Sequence, residues 1–146
     1  MLNFKDWLIA ETVNPENSQQ FISRFFASVN AQMNPFGHNY YYTDGQTLVM
    51  FKINSSVIKP DAIHIEEIHT VPTKTGAGKR FMEKITRMAD ETNTWLELNA
   101  VPLKTNERIP SSKLKNFYKS FGFKSLRKDD QNTMIRKPKI SDQQSS

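Results

Sequence analysis

The chain has 146 residues, enough to bury one sizeable core and too few for two comfortable ones. Hydrophobic residues make up 37%, with 10 Phe, 4 Tyr, 2 Trp and no Cys; a disordered chain, disulfides, thiolate nucleophiles and cysteine-ligated zinc are excluded. The net charge of +5 is uneven: residues 1–70 hold 4 Lys/Arg against 7 Asp/Glu, residues 71–146 hold 16 against 8, so any polyanionic ligand is expected in the second half.

In chain order, "FKDWLI" (4–9) reads as a short helix or strand. The surrounding "MLNFKDWLIAETV" sets Asp6 and Glu11 around a brief apolar patch, a poor signal peptide. No apolar run approaches the roughly 18 residues of a membrane span, so a soluble, cytoplasmic protein without membrane partners is expected. "NPENSQQFISRFFASVNAQM" predicts a helix: Asn14 caps, Pro15 suits the first turn, and Phe21, Ile22, Phe25, Phe26, Val29 and Met33 recur at helical spacing. "HNYYYTDGQTLVMFKI" predicts a β-hairpin about Asp44-Gly45, followed by a turn at Pro60.

"AIHIEEIHTV" (62–71) predicts a strand with a fault in its register. Ile63 and Ile65 share a face, and Ile68 falls one residue out of step, which points to a β-bulge near Glu66 and Glu67. "GKRFMEKITRMADE" predicts a helix burying Phe81, Met82, Ile85, Met88 and Ala89, and "TWLELNAV" an interior strand. Ser111 or Ser112 begins a further helix through Leu114, Phe117, Tyr118 and Phe121 to Gly122. "FKSLRKDDQNTMIRK" predicts a closing hairpin around Asp129-Asp130, and residues 138–146 a polar, disordered tail. The order gives one mixed α/β domain, residues 1–137, with a central mixed sheet, a bulged strand and helices on both faces.

Between the bulged strand and its helix lies "TKTGAGKR" (73–80), which holds two of the five glycines. The first amides of a helix lack internal partners, and the helix dipole adds about half a positive charge there. Gly76 and Gly78 admit a ligand to the backbone, and Lys74, Lys79 and Arg80 add cations: the physical requirements of a pyrophosphate cradle. The plainer reading is a tight strand-to-helix turn. Neither common phosphate motif fits. A P-loop needs glycine at Thr73 and Ser/Thr at Arg80, and the dinucleotide fingerprint needs glycine at Phe81.

The bulged strand, "TGAGKRFM", the next strand and "LKNFYKSFGF" (114–123) together resemble the GNAT superfamily of acyl-CoA-dependent N-acetyltransferases, over roughly residues 38 to 137. Its pattern is Q/R-x-x-G-x-G/A followed by Y-x-x-x-G-F. Gly76 and Gly78 match the first, and Tyr118, Gly122 and Phe123 the second. Thr73 stands at the Gln/Arg position, with Lys74 or Lys79 to replace its contact, and Ser111 stands where many members have an asparagine touching the cofactor arm.

The resemblance implies acetyl-CoA as acyl donor. Its pantetheine arm would pair with strand backbone at Ile68, Thr70 and Val71, and its diphosphate would rest on Gly76, Ala77, Gly78 and Lys79. Glu66 or Glu67 would be the general base, Tyr118 the general acid, and a strand amide near Thr70 or Val71 would hold the oxyanion. The acidic first half suits a primary amine acceptor, either a small molecule or a protein lysine or N-terminus.

Each residue also has a structural role available: surface carboxylates for Glu66 and Glu67, core packing for Tyr118, and a structural histidine for His69. His38, His64 and His69 lack metal-ligand spacing, so no metal is expected. Two other functions remain open: a catalytically inactive CoA-binding regulatory or structural protein, and a basic nucleic-acid-binding module suggested by the pI of 9.5. A monomer or homodimer is compatible with all of these.

Overall fold

The computed structural model describes residues 15–33, 39–56, 62–72, 75–100, 111–126 and 132–139. The expected element at 4–9 and the turns at Pro60 and Asp129-Asp130 lie outside these residues, as do Thr73 and Lys74. Helix α1 spans Pro15–Val29, followed by strands β1 (Gln32–Met33), β2 (Tyr40–Asp44), β3 (Thr47–Ser55) and β4 (Ala62–Val71). Helix α2 (Ala77–Thr92), strand β5 (Trp95–Asn99), helix α3 (Ser111–Lys119) and strands β6 (Lys124–Ser125) and β7 (Thr133–Arg136) complete the order. No helix of the described residues is long and apolar enough to cross a membrane.

The strands form one mixed sheet in the order β1-β2-β3-β4-β5-β7-β6. Among the described strands, β4 and β5 are the one parallel pair, joined by the crossover through α2. The hairpin β2–β3 turns at Gly45, whose φ of 61° is one that glycine adopts without a Cβ penalty.

The predicted bulge is present. Lys52 opposes Glu67 and Ile53 opposes Ile65, which leaves Glu66 as the extra residue. The insertion returns Ile68 to the side of Ile63 and Ile65, where it faces Phe51 and packs against the core. The apolar register of β4 is therefore continuous once Glu66 is counted out.

One face of the sheet holds the main core. Phe21 and Phe25 from α1, and Phe81, Met82, Ile85 and Ala89 from α2, pack against Val49, Phe51, Ile63, Leu96 and Leu98. Phe25, Phe51 and Phe81 make three mutual ring contacts at 5.3–5.8 Å, a geometry that adds about 0.5–1.5 kcal/mol per pair to the burial itself. Phe117, Tyr118 and Phe121 of α3 and the turn after it join the same cluster. The opposite face buries a smaller set, Ala62, Trp95, Leu126 and Ile135.

The three helices of the described residues end in the same way. Asn30 (φ 56°), Asn93 (φ 55°) and Gly122 (φ 96°) take the left-handed conformation. The next residue's amide then reaches back across the turn: Ala31 to Phe26 O, Thr94 to Ala89 O and Phe123 to Tyr118 O. Gly122 was legible as a stop. Asn30 was not, and Met33, counted on the helical face in the sequence, instead lies exposed in β1. Just after β7, Pro138 is buried, and the Lys139 amide donates to Asp90 at 2.8 Å.

Candidate active site

Strand β4 is longer than its parallel neighbour can cover. Its pairing with β5 runs from Ala62 to Ile65 against Trp95 to Leu98 and ends there. From Glu66 to Val71, β4 is bonded to β3 alone among the described strands. The bulge sits at the point of separation, so the two strands diverge into a cleft along whose β4 wall no second strand pairs among the described residues. Ile68, Thr70 and Val71 lie along that wall, with Ile68 turned into the core and Val71 exposed.

The wall runs into the start of α2. Gly76 is the N-cap, at φ 82° and ψ 0°, with no side-chain cap and no acidic residue in the first turn. The first turn of the helix therefore carries no negative side chain of its own to offset the dipole. Thr75 Oγ1 receives the Thr47 hydroxyl at 3.1 Å and stands 3.4 Å from the Ala77 amide, which ties the turn to β3. A Cβ placed on Gly78 would meet nothing within 4 Å, so its backbone borders open space. A Cβ on Gly76 would come within 3.0 Å of an Arg80 guanidinium nitrogen.

Arg80 has a more specific role than the free cation expected from sequence. Its Nε donates to Asp44 Oδ2 at 2.7 Å, and NH1 donates to the Thr75 carbonyl at 3.3 Å. The side chain thus clamps the glycine turn to the β2–β3 hairpin. Lys79 is exposed beside it. Lys74 lies outside the described residues, and of Ser111 only the backbone, at the start of α3, is described.

The bulge carboxylates differ. Glu66 accepts from Asn54 Nδ2 at 2.6 Å and pairs with Lys52 Nζ at 3.4 Å, so each of its oxygens is committed to a neighbour on β3. Glu67 is exposed and has no polar partner among the described residues. On α3, Tyr118 packs edge-on against Phe117 and Phe123, with ring centroids 5.4 and 6.0 Å apart. Burial raises its phenol above the usual tyrosine value, which keeps the proton on oxygen at neutral pH.

Sequence reasoning passed over one cluster. His64 Nδ1 lies 2.6 Å from Glu97 Oε1, and the Ser56 hydroxyl donates to Glu97 Oε2 at 3.0 Å. The signal was available in "TWLELNAV", where Glu97 is the one charged residue in a strand otherwise read as interior. No group of three or more metal-type ligands occurs among the described residues.

No family profile matches the chain, and no curated protein matches it. Among solved structures, it is similar to the anti-CRISPR protein AcrVA5, with 19% identity, 68% of this chain and 98% of that one covered, and a TM-score of 0.49. It is also similar to the AtaT–AtaR complex bound to DNA, with 14% identity, 78% and 72% covered, and a TM-score of 0.42. A third similarity is to AtaTR bound with AcCoA, with 13% identity, 68% and 66% covered, and a TM-score of 0.43.

Proposed function

We propose that the protein is an N-acetyltransferase that moves an acetyl group from acetyl-CoA to a primary amine by direct attack. One observation carries the reading: the stretch of β4 from Glu66 to Val71, which has a strand neighbour on one side only among the described residues, precedes the glycine-bordered start of α2, whose first turn holds no acidic residue. A donor with an amide-bearing arm and a diphosphate matches both parts. The arm takes up strand bonds at Ile68, Thr70 and Val71, and the diphosphate meets the amides of Gly76, Ala77, Gly78 and Lys79. Lys79 is exposed beside that path, while Arg80 holds its shape.

An alkylammonium, with a pKa of about 10.4, must lose a proton before it can attack. Glu67, whose carboxylate is open, draws the cation to the bulge. Glu66 is occupied with bracing the bulge through Lys52 and Asn54. Tyr118, protonated because it is buried, supplies a proton to the departing thiolate. A strand amide near Thr70 or Val71 stabilises the oxyanion.

The first test is a thermal shift with acetyl-CoA, CoA and ATP, because a ligand of the native state raises its melting temperature. Acetyl-CoA and CoA are expected to stabilise the protein, and ATP much less. Tyr118→Phe is expected to lower kcat by about 100-fold while leaving the acetyl-CoA shift unchanged. Binding without turnover against any amine would instead indicate a non-catalytic CoA-binding protein.

A further inference from the structure

Glu97 stands opposite His64 in the parallel register of β5 and β4, on the sheet face away from α1 and α2. Its side chain keeps 5% of its surface exposed, while that of His64 keeps 22%. Its neighbours on that face are Trp95, two residues before it, and Ile135, directly across on β7. A carboxylate in such surroundings is costly to bury unless its oxygens are bonded, and here both are: Oε2 by Ser56 and Oε1 by His64. Through that bond the Ser56 hydroxyl supports the Glu97 carboxylate.

A carboxylate has no hydrogen to give, so the hydrogen of the 2.6 Å contact belongs to His64 Nδ1. In the neutral ring this leaves the lone pair on Nε2, the tautomer that a proton acceptor needs. The position is also specific. The strands part immediately after Ile65 and Leu98, so the pair lies one residue, about 3.3 Å along the strand, inside the apex of the cleft. On the other face the apex is filled by Phe51, Ile65, Ile68 and Leu98. An acceptor therefore approaches from the His64 side. Among the described residues, the charged groups on this face are Glu97 from β5, Glu66 and Glu67 further along β4, Lys52 of β3, which pairs with Glu66, and Lys137 after β7, whose Nζ is 6.0 Å from the Trp95 ring centre.

We propose that His64 is the general base for the acceptor amine and that Glu97 is its positioning residue. This rests on the cleft being the acyl-CoA site. His64 Nε2 takes one proton from the ammonium, and the freed nitrogen attacks the thioester carbonyl, forming the C–N bond. The C–S bond breaks, the thiolate takes the Tyr118 proton, and the second proton on nitrogen returns to the phenolate. His64 then releases its proton to solvent, so one amide, one thiol and one proton result from ammonium and thioester.

The test has one arm without ligand and one with. Long-range proton–nitrogen NMR of the ligand-free, histidine-labelled protein, assigned with His64→Gln, is expected to show the Nδ1–H tautomer at His64. Glu97→Gln is expected to abolish that preference. In turnover of a small primary amine, His64→Gln is expected to lower kcat about 100-fold, with the acetyl-CoA thermal shift unchanged. Glu97→Gln is expected to lower kcat about tenfold. An Nε2–H tautomer in the wild type overturns the proposal, as does His64→Gln turnover within about threefold of wild type. Failure of the wild type to bind acetyl-CoA overturns the cleft reading as well, which separates the two failures. His64 is partly exposed, so its variant keeps the test intact should Glu97→Gln fail to fold.

Discussion

Asp90→Ala is expected to destabilise the fold by about 3–5 kcal/mol, a drop in melting temperature on the order of 10 °C. Arg136 leaves β7 toward the core face, where its side chain is 3% exposed. Asp90, in the last turns of α2, holds it with two bonds, from NH1 at 2.8 Å and NH2 at 3.0 Å. The same carboxylate accepts the Lys139 amide, and Arg136 Nε donates to the Phe121 carbonyl at 2.7 Å. Removing the carboxylate strands a buried guanidinium, which is the costly way to break such a pair. The neighbouring pair Arg24–Glu91 is a control, at 3.4 Å with side chains 52% and 47% exposed. Glu91→Ala is expected to cost less than about 1 kcal/mol, because exposed pairs are screened and mobile. Denaturant titration of the two variants decides the matter. Equal losses would mean that the Arg136 clamp is not structural.

That clamp lies beyond local sequence reasoning for a plain physical reason. Asp90 and Arg136 are 46 positions apart, and nothing in either segment names the other. The same holds for Arg80 and Asp44, 36 apart, and for His64 and Glu97, 33 apart. Local pattern did carry the apolar faces of α1 and α2, the hairpin at Gly45 and the bulge in β4, because each is set by spacing within one segment. The bulge is the most informative of these. A single isoleucine out of step placed the fault at Glu66–Glu67, and that fault marks where β4 and β5 part. The helix stop at Asn30 was missed since asparagine occupies left-handed backbone far less regularly than glycine, so it gives a weaker signal. For the candidate site, the backbone of the glycine turn was legible, while the commitments of Arg80 and Glu66 needed their distant partners in view.

Gly78→Glu should separate the turn as architecture from the turn as a binding site, because the two readings predict effects of opposite sign. Gly78 is the second residue of α2, its φ lies outside the left-handed region, and a Cβ there meets nothing within 4 Å. A side chain is therefore sterically free. Replacing glycine lowers the entropy of the unfolded chain, and a carboxylate in the first turn complements the helix dipole, so stability is expected to rise by about 0.5–1 kcal/mol. Gly76→Ala is different: its φ of 82° and the 3.0 Å approach to Arg80 predict a loss of about 1–2 kcal/mol whatever the turn binds. If the amides of Gly76 to Lys79 receive a diphosphate, the new carboxylate at position 78 faces it at close range. Like charges some 4 Å apart near a protein surface repel by about 4 kcal/mol, and each 1.4 kcal/mol is about tenfold in affinity. Acetyl-CoA binding is thus expected to weaken by more than about 100-fold in a protein that unfolds later than the wild type. Calorimetric titration beside denaturant unfolding reads both quantities on one sample. Unchanged affinity in a stabilised Gly78→Glu protein would place the diphosphate away from this helix end, leaving Gly76 and Gly78 as the means of turning β4 into α2.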